Sequence, residues 1–192
     1  MQSNGTDGGL PTELVPAGLD RWSEIRNLHA SSFRKLIAAS IEPEQVDAFV
    51  RWVNSPDYTD ILQTHDLHMA VYGGRVVGTA GWVPSDDSGA SARITAVFVA
   101  PLFLRLTVGR RLVEAAEARA AAAGFRSFTA RAFSISAGFF EALGYQRSSQ
   151  GVQSLGQSND IPIIFLKKTP AAVEHHTPGE PGKGQTVAQR GR

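Results

Sequence analysis

The sequence predicts an α/β (α+β) fold, a mixed and mainly antiparallel central sheet with helices on both faces. Three observations predict it. Residues 67–72 and 75–83 are strand-like runs joined by Gly73-Gly74, the positive-φ pair that a two-residue hairpin turn requires. Residues 93–99 form a further strand ended by Pro101, and the chain then enters an alanine-rich helix at Gly109 that closes at Gly124. The element order is strand, two helices, three strands, helix, strand, short helix, two strands. It mixes hairpins with one helical crossover, so one strand pair is parallel and the others antiparallel.

Taken in order, Leu14 and Val15 make a short first strand. Asp20 is placed to cap a helix that carries Trp22, Ile25, Leu28, His29, Phe33 and Leu36 at spacings of three and four. A second helix opens around Glu42-Pro43-Glu44, with the proline in the tolerant first turn and Val46, Phe49, Val50 and Val53 on one side. The hairpin follows, then a Pro/Ser/Asp/Gly loop over 84–89 and the strand 93–99. The next helix buries Leu112, Val113, Ala116, Ala120 and Ala123, and its alanines permit close approach to a sheet. Residues 125–133 are a strand and 136–143 a short helix stopped by Gly144; two more strands turn around Gly156 and Asn159-Asp160. Residues 1–12 and 170–192 are rich in Gly, Pro and polar residues and are expected to be disordered, leaving one domain over 13–169. The pair His175-His176 falls in that tail and reads as solvated.

Composition narrows the function. With 42% hydrophobic and 19% charged residues in 192, the chain is a globular domain with room for one real core. It has no cysteine, which excludes disulfides, thiolate metal sites and a cysteine nucleophile, and its five histidines are too scattered to suggest a metal centre. No positive charge precedes Arg21 and no apolar run approaches the ~18 residues of a membrane span, so a cytoplasmic protein without signal or membrane segment is expected. Residues 1–90 hold 12 acids and 6 bases, while 91–192 hold 6 acids and 13 bases. No Lys/Arg cluster with interleaved aromatics occurs, so no nucleic-acid partner is expected.

The stretch Val97-Phe98-Val99-Ala100-Pro101, with Gly109-Arg110-Arg111 eight residues beyond the proline, runs from strand through loop to helix. That arrangement offers bare backbone N–H groups to a pyrophosphate. Neither Gly-Lys-Ser/Thr nor Gly-x-Gly-x-x-Gly stands at the loop, which argues against a P-loop nucleotidase or a dinucleotide oxidoreductase.

This order, with three local signatures, resembles the GNAT superfamily of N-acetyltransferases over roughly residues 14–168. The family's pyrophosphate loop, Gln/Arg-x-x-Gly-x-Gly/Ala, falls on Leu104, Arg105, Leu106, Thr107, Val108 and Gly109. Only the last glycine matches, because Leu104 replaces the Gln/Arg and Thr107 the first glycine. Phe139-Phe140-Glu141-Ala142-Leu143-Gly144-Tyr145 is similar to the family's Phe-Tyr-Glu-Lys-Leu-Gly-Phe, and residues 71–82 are similar to its strand pair ahead of the cofactor strand.

The resemblance implies an acyl-CoA N-acyltransferase fold acting on acetyl-CoA and an amine acceptor, as a monomer or homodimer. It implies that Val97, Phe98 and Val99 offer main-chain donors to the thioester, and that Arg105 to Gly109 with Arg110 hold the diphosphate; Arg111 adds charge. It implies an acceptor pocket drawn from residues such as Trp22, His29, Trp52, Tyr58 and Trp82, and the acidic excess of the first half suits a cationic amine.

Deprotonating a lysine-like ammonium of pKa ~10.4 at pH 7 costs about 4.6 kcal/mol, so a base is needed. The family often draws one from the cofactor strand, where this chain has Arg93 and Thr95; Asp86, Asp87, His65, His68 and Glu141 are the remaining candidates. The family's thiolate acid, a tyrosine, falls on Phe140, and its frequent asparagine is absent near Ile135. Ser136, one helical turn before Phe140, is the candidate catalytic hydroxyl. These departures leave a second reading open, an acyl-CoA-binding sensor or scaffold with weak or no turnover.

Overall fold

The computed structural model describes residues 10–85, 90–155 and 160–169. Its strands are β1 (Glu13–Pro16), β2 (Asp66–Tyr72), β3 (Arg75–Pro84), β4 (Ser91–Val99), β5 (Ser127–Phe133), β6 (Gln146–Ser154) and β7 (Asp160–Lys168). Its helices are α1 (Trp22–Leu36), α2 (Pro43–Val53), α3 (Pro56–Gln63), α4 (Val108–Ala122) and α5 (Ala137–Glu141). The strands form one sheet in the order β1-β2-β3-β4-β5-β7-β6, with β4–β5 parallel and the other described pairs antiparallel. The mixed sheet expected from the element order is therefore present. No helix among the described residues is long and apolar enough to cross a membrane.

Each face of the sheet carries its own core. On one, Ile25, Leu28 and Phe33 of α1 meet Phe49 and Val53 of α2, and Phe33 stacks on Phe49 at 3.7 Å. On the other, Leu112, Val113, Ala116 and Ala120 of α4 lie over β3 and β4, with Phe140 of α5 beside them. Burying each such large side chain stabilises the fold by roughly 1.5–3 kcal/mol.

Local chemistry explains where the elements start and stop. Glu42 and Gln45 form a reciprocal capping box at α2, with Pro43 in its first turn. Gly73 and Gly74, at φ 56° and 77°, make the hairpin turn, and Gly124 at φ 102° follows α4.

Four expectations need correction. Asp20 does not cap α1; it sits in a 3-10 turn with its carboxylate back over Gly18, and Arg21 takes the cap position and pairs with Glu24 at 2.8 Å. A third helix, α3, precedes the hairpin, capped by Ser55 Oγ accepting from the Tyr58 N–H at 3.3 Å. Ala123 is exposed, and the buried side of α4 instead includes Glu117, whose carboxylate accepts from Tyr145 Oη at 2.8 Å and Lys168 Nζ at 2.6 Å. The strand expected from Phe125 begins at Ser127. The loop tip at Asp86 and Asp87, the turn at Gly156 and Asn159, and the His175-His176 pair lie outside the described residues.

Candidate active site

The site begins as a failure of pairing. β4 and β5 pair only over residues 91–94 against 127–130, and beyond Ile94 and Ala130 they separate. A groove of about 1110 Å³ occupies the gap, lined by Thr95 to Val99 on one wall and Arg131 to Phe133 on the other. On its opposite edge β4 bulges: Thr79 pairs with Phe98 but Gly81 with Thr95, so Ala96 and Val97 together face Ala80. Ala96 takes a left-handed φ of 51° to make the bulge.

The bulge aims the backbone. Ala100 N–H donates to Val77 O at 2.8 Å across the β3 pairing, so the strand's alternation turns the N–H of Val99, and with it that of Val97, toward the groove. The same alternation turns the Phe98 N–H toward β3. Phe98 contributes its ring instead, stacked on His29 with centroids 4.1 Å apart.

A buried polar chain pins this geometry. Thr79 Oγ1 donates to Ala96 O at 2.6 Å; it therefore accepts from His29 Nε2–H at 2.8 Å, which leaves His29 Nδ1 to accept the Tyr58 hydroxyl at 2.7 Å. His29 is fully buried, and desolvation pushes its pKa down to about 3, consistent with this neutral tautomer. Burial pushes the Tyr58 hydroxyl up.

At one end of the groove lies the strand-to-helix loop. Arg105 and Thr107 both have positive φ, 61° and 63°, where the backbone of a glycine is usual. A left-handed residue beside a right-handed one, as at Thr107 and Val108, turns successive N–H groups into one concavity, a nest for anions. The first backbone bond into α4 is Arg111 N–H to Thr107 O at 3.0 Å, and the Thr107 side chain makes no cap, so the amides of Val108, Gly109 and Arg110 remain for a ligand. A Cβ on Gly109 would stand 3.3 Å from the Phe139 ring and 3.4 Å from Val99 Cγ2. The glycine thus lets α5 close against the loop. These features fit a nucleotide diphosphate.

The sequence-derived residues divide clearly. Arg105, Thr107, Gly109 and Arg110 line the groove, whereas Leu106 faces solvent and Val108 is buried in the core, so those two serve only through their backbone. Arg111 turns away and binds Leu10 O, Thr12 Oγ1 and Thr12 O at 3.1, 2.7 and 3.0 Å. Ser136 lines the groove with its hydroxyl donating to Phe133 O at 3.0 Å; Phe140 is buried against Phe139 and Tyr145.

Of the aromatic set, Trp52 and Tyr58 line the groove and His29 stands behind it, while Trp22 and Trp82 pack elsewhere in the two cores. Of the candidate bases among the described residues, only His65 reaches the groove. Its Nδ1 is buried without a partner, and desolvation, then the charge of Arg93, pushes its pKa down to about 4. His68 lies beside Asp66 and Arg119, and Glu141 pairs with Arg147 on the surface. No Asp or Glu lines the groove among the described residues.

Arg131 is the lining residue that sequence reasoning missed. Its signal was the period-two alternation that puts Thr129, Arg131 and Phe133 on one face of β5, a cation in a half-buried strand.

Comparison with known proteins agrees with this geometry. Residues 22–145 match the model of the acetyltransferase (GNAT) family. No protein of curated function matches the sequence. A GCN5-related N-acetyltransferase from Rhodopseudomonas palustris superposes with a TM-score of 0.75 at 20% identity, over 86% of this chain and 99% of that one. PaiA N-acetyltransferase from Thermoplasma acidophilum, solved with coenzyme A, gives 0.68 at 12% identity over 83% and 99%. YncA from Salmonella typhimurium, solved with acetyl-CoA, gives 0.59 at 18% identity over 88% and 99%.

Proposed function

We propose that this chain, which belongs to the GNAT family of acetyltransferases, moves an acetyl group from acetyl-CoA onto a primary amine by direct attack. Acetyl-CoA is the family's acyl donor, and it would bring the activated thioester carbonyl. The observation that carries the reading is the continuity of two features: the left-handed nest at Arg105 and Thr107 opens directly into the gap where β4 parts from β5.

The chain's own residues then act in sequence. The nest amides, the dipole of α4 and Arg110 hold the diphosphate. The Val97 and Val99 N–H groups, fixed by the bulge, meet negative charge developing on the carbonyl oxygen. The amine nitrogen forms the new C–N bond as the C–S bond breaks; the nitrogen gives up its proton to solvent water in the open groove, and the thiolate takes one. We assign delivery of the thiolate proton to the Ser136 hydroxyl, which must first exchange its bond to Phe133 O and relays a proton from solvent, so that it ends the step still protonated. Such a donor contributes ~10²–10⁴-fold, so its loss weakens turnover without abolishing it.

A thiol-release assay with acetyl-CoA and a panel of small amines, polyamines and peptide amines tests the reading. Wild type releases thiol with at least one acceptor, and Ser136→Ala lowers kcat at an unchanged KM for acetyl-CoA. The absence of a carboxylate from the groove among the described residues, and the apolar Phe140, favour a second reading, a protein that binds acyl-CoA and signals its presence. Tight acetyl-CoA binding with no thiol release across the panel selects it.

A further inference from the structure

Resting on the groove as an acetyltransferase site, we propose that its acceptor is an amine that also carries an oxyanion, a carboxylate or a phosphate, gripped by Arg93 and Arg131. Arg93 of β4 registers with Thr129 of β5, and Arg131 stands two residues further along the same face. Both arginines line the groove, and both also line a smaller cavity of about 220 Å³. They are close enough that Arg131, after desolvation, lowers the pKa of Arg93.

Neither has a hydrogen-bonding or carboxylate partner among the described residues. The contrast with other arginines is informative. Arg21, Arg26, Arg111 and Arg119 are, like Arg93, partly withdrawn from solvent, and each of those four has a partner. Holding two like charges together, one of them half-buried and unpaired, is costly unless an anion joins them. Arg131 is also oriented, its guanidinium carbon 5.6 Å from the Phe165 ring centroid, so its fork of donors stays free. His65, with its buried and unpartnered Nδ1, stands near Arg93 and adds a third polar group that waits for a ligand.

This anion is not the diphosphate. Six residue steps along β4 separate Arg93 from Val99, about 20 Å of extended chain, which places the arginines well away from the loop. With no acid lining the groove among the described residues, a bare cationic amine finds no opposite charge there. An amine that brings its own oxyanion satisfies the arginine forks through bidentate contacts. The same positive surroundings lower the pKa of its ammonium and ease the deprotonation that direct attack requires. The cationic acceptor suggested by the acidic first half of the sequence is thereby replaced.

The test uses matched acceptors: α-amino acids beside their carboxamides, and phosphoethanolamine beside ethanolamine. In at least one pair the anionic member is expected to have a kcat/KM at least tenfold higher, and the responding pair tells carboxylate from phosphate. Arg93→Gln and Arg131→Gln each collapse that ratio while the KM for acetyl-CoA stays within twofold. Equal or better turnover of the uncharged members overturns the inference and leaves the transferase reading intact. Should no acceptor release thiol, that reading fails, and calorimetric titration of the CoA-loaded protein decides the oxyanion site separately. Binding of N-acetylglycine and N-acetylphosphoethanolamine is measured beside N-acetylglycinamide and N-acetylethanolamine. Preference for an anionic product that Arg93→Gln removes upholds the site; no preference overturns it.

Discussion

His29 shows how one side chain can serve fold and site together. It carries no charge, yet it closes a line of donors from Tyr58 through Thr79 to the carbonyl of Ala96, the residue whose left-handed backbone makes the bulge. A left-handed alanine costs ~1–2 kcal/mol, which the bond to its carbonyl and the buried packing around it offset. Its folded-state pKa, about 3, lies below the 6.5 of an exposed histidine, so as pH falls the unfolded chain takes up the proton first. The contribution is complete above pH 6.5 and lost progressively down to about 3. Its slope is about 1.4 kcal/mol per pH unit. Urea titrations of wild type and His29→Gln between pH 7 and pH 5 check this: the variant starts less stable but loses less on acidification. Parallel pH profiles for the two proteins refute a neutral, buried His29.

At the scale of elements, α3 is the natural test because it is short and lines the groove where the acceptor is proposed to bind. Its N-cap bond from Ser55 Oγ to the Tyr58 N–H fixes the residue whose ring packs on Trp52, centroids 4.5 Å apart, in the groove. Ser55→Ala removes that cap at a cost of ~1 kcal/mol. The expected kinetic signature is a raised acceptor KM with an unchanged KM for acetyl-CoA, since the diphosphate loop closes against α5 at Gly109 and Phe139; equal rises in both contradict it. The sequence hid this helix because only Tyr58 and Leu62 of it are buried, one i,i+4 pair between aspartates. The hairpin at Gly73-Gly74 and helix α4 were legible because their signals are local: two glycines at positive φ, and a run of small and apolar residues at helical spacing. What stayed hidden depends on register. The bulge at Ala96 is a count of β4 residues against β3, and the Arg93–Arg131 pair exists only once β4 lies parallel to β5. Thr107 and Arg105 hold left-handed positions that their own chemistry does not ask for, so the loop's shape comes from its surroundings.

For the molecule as a whole, the division of charge along the sequence is partly absorbed by the fold. Glu42, Glu44, Asp47, Asp57 and Asp60 all sit on the exposed sides of α2 and α3, and their apolar sides turn to the groove. Bases of the second half are partly spent inside the fold, Arg119 on Asp66 and Arg111 on the segment leading into β1. Arg110 and Arg111 show the consequence most directly. One residue apart, they point about 100° apart around α4, so one faces the ligand groove and the other the body of the protein. Arg111 makes three bonds to Leu10 and Thr12, bonds from a charged donor worth ~1.5–3 kcal/mol each before compensation by water. Arg111→Ala is therefore expected to cost about 2 kcal/mol, a fall of roughly 4–8 °C in Tm for a chain of this size, with the KM for acetyl-CoA unchanged. Arg110 has an exposed pairing with Glu114 at 3.4 Å, worth ~0.2–1 kcal/mol, and a long contact to Ala142 O at 3.5 Å. Arg110→Ala should leave Tm within about 2 °C and raise the KM for acetyl-CoA about three- to tenfold. Measuring melting and saturation curves for both variants separates stability from binding on adjacent residues. If Arg111→Ala weakens acetyl-CoA binding as much as Arg110→Ala does, the loop's anion site is not confined to the groove face of α4.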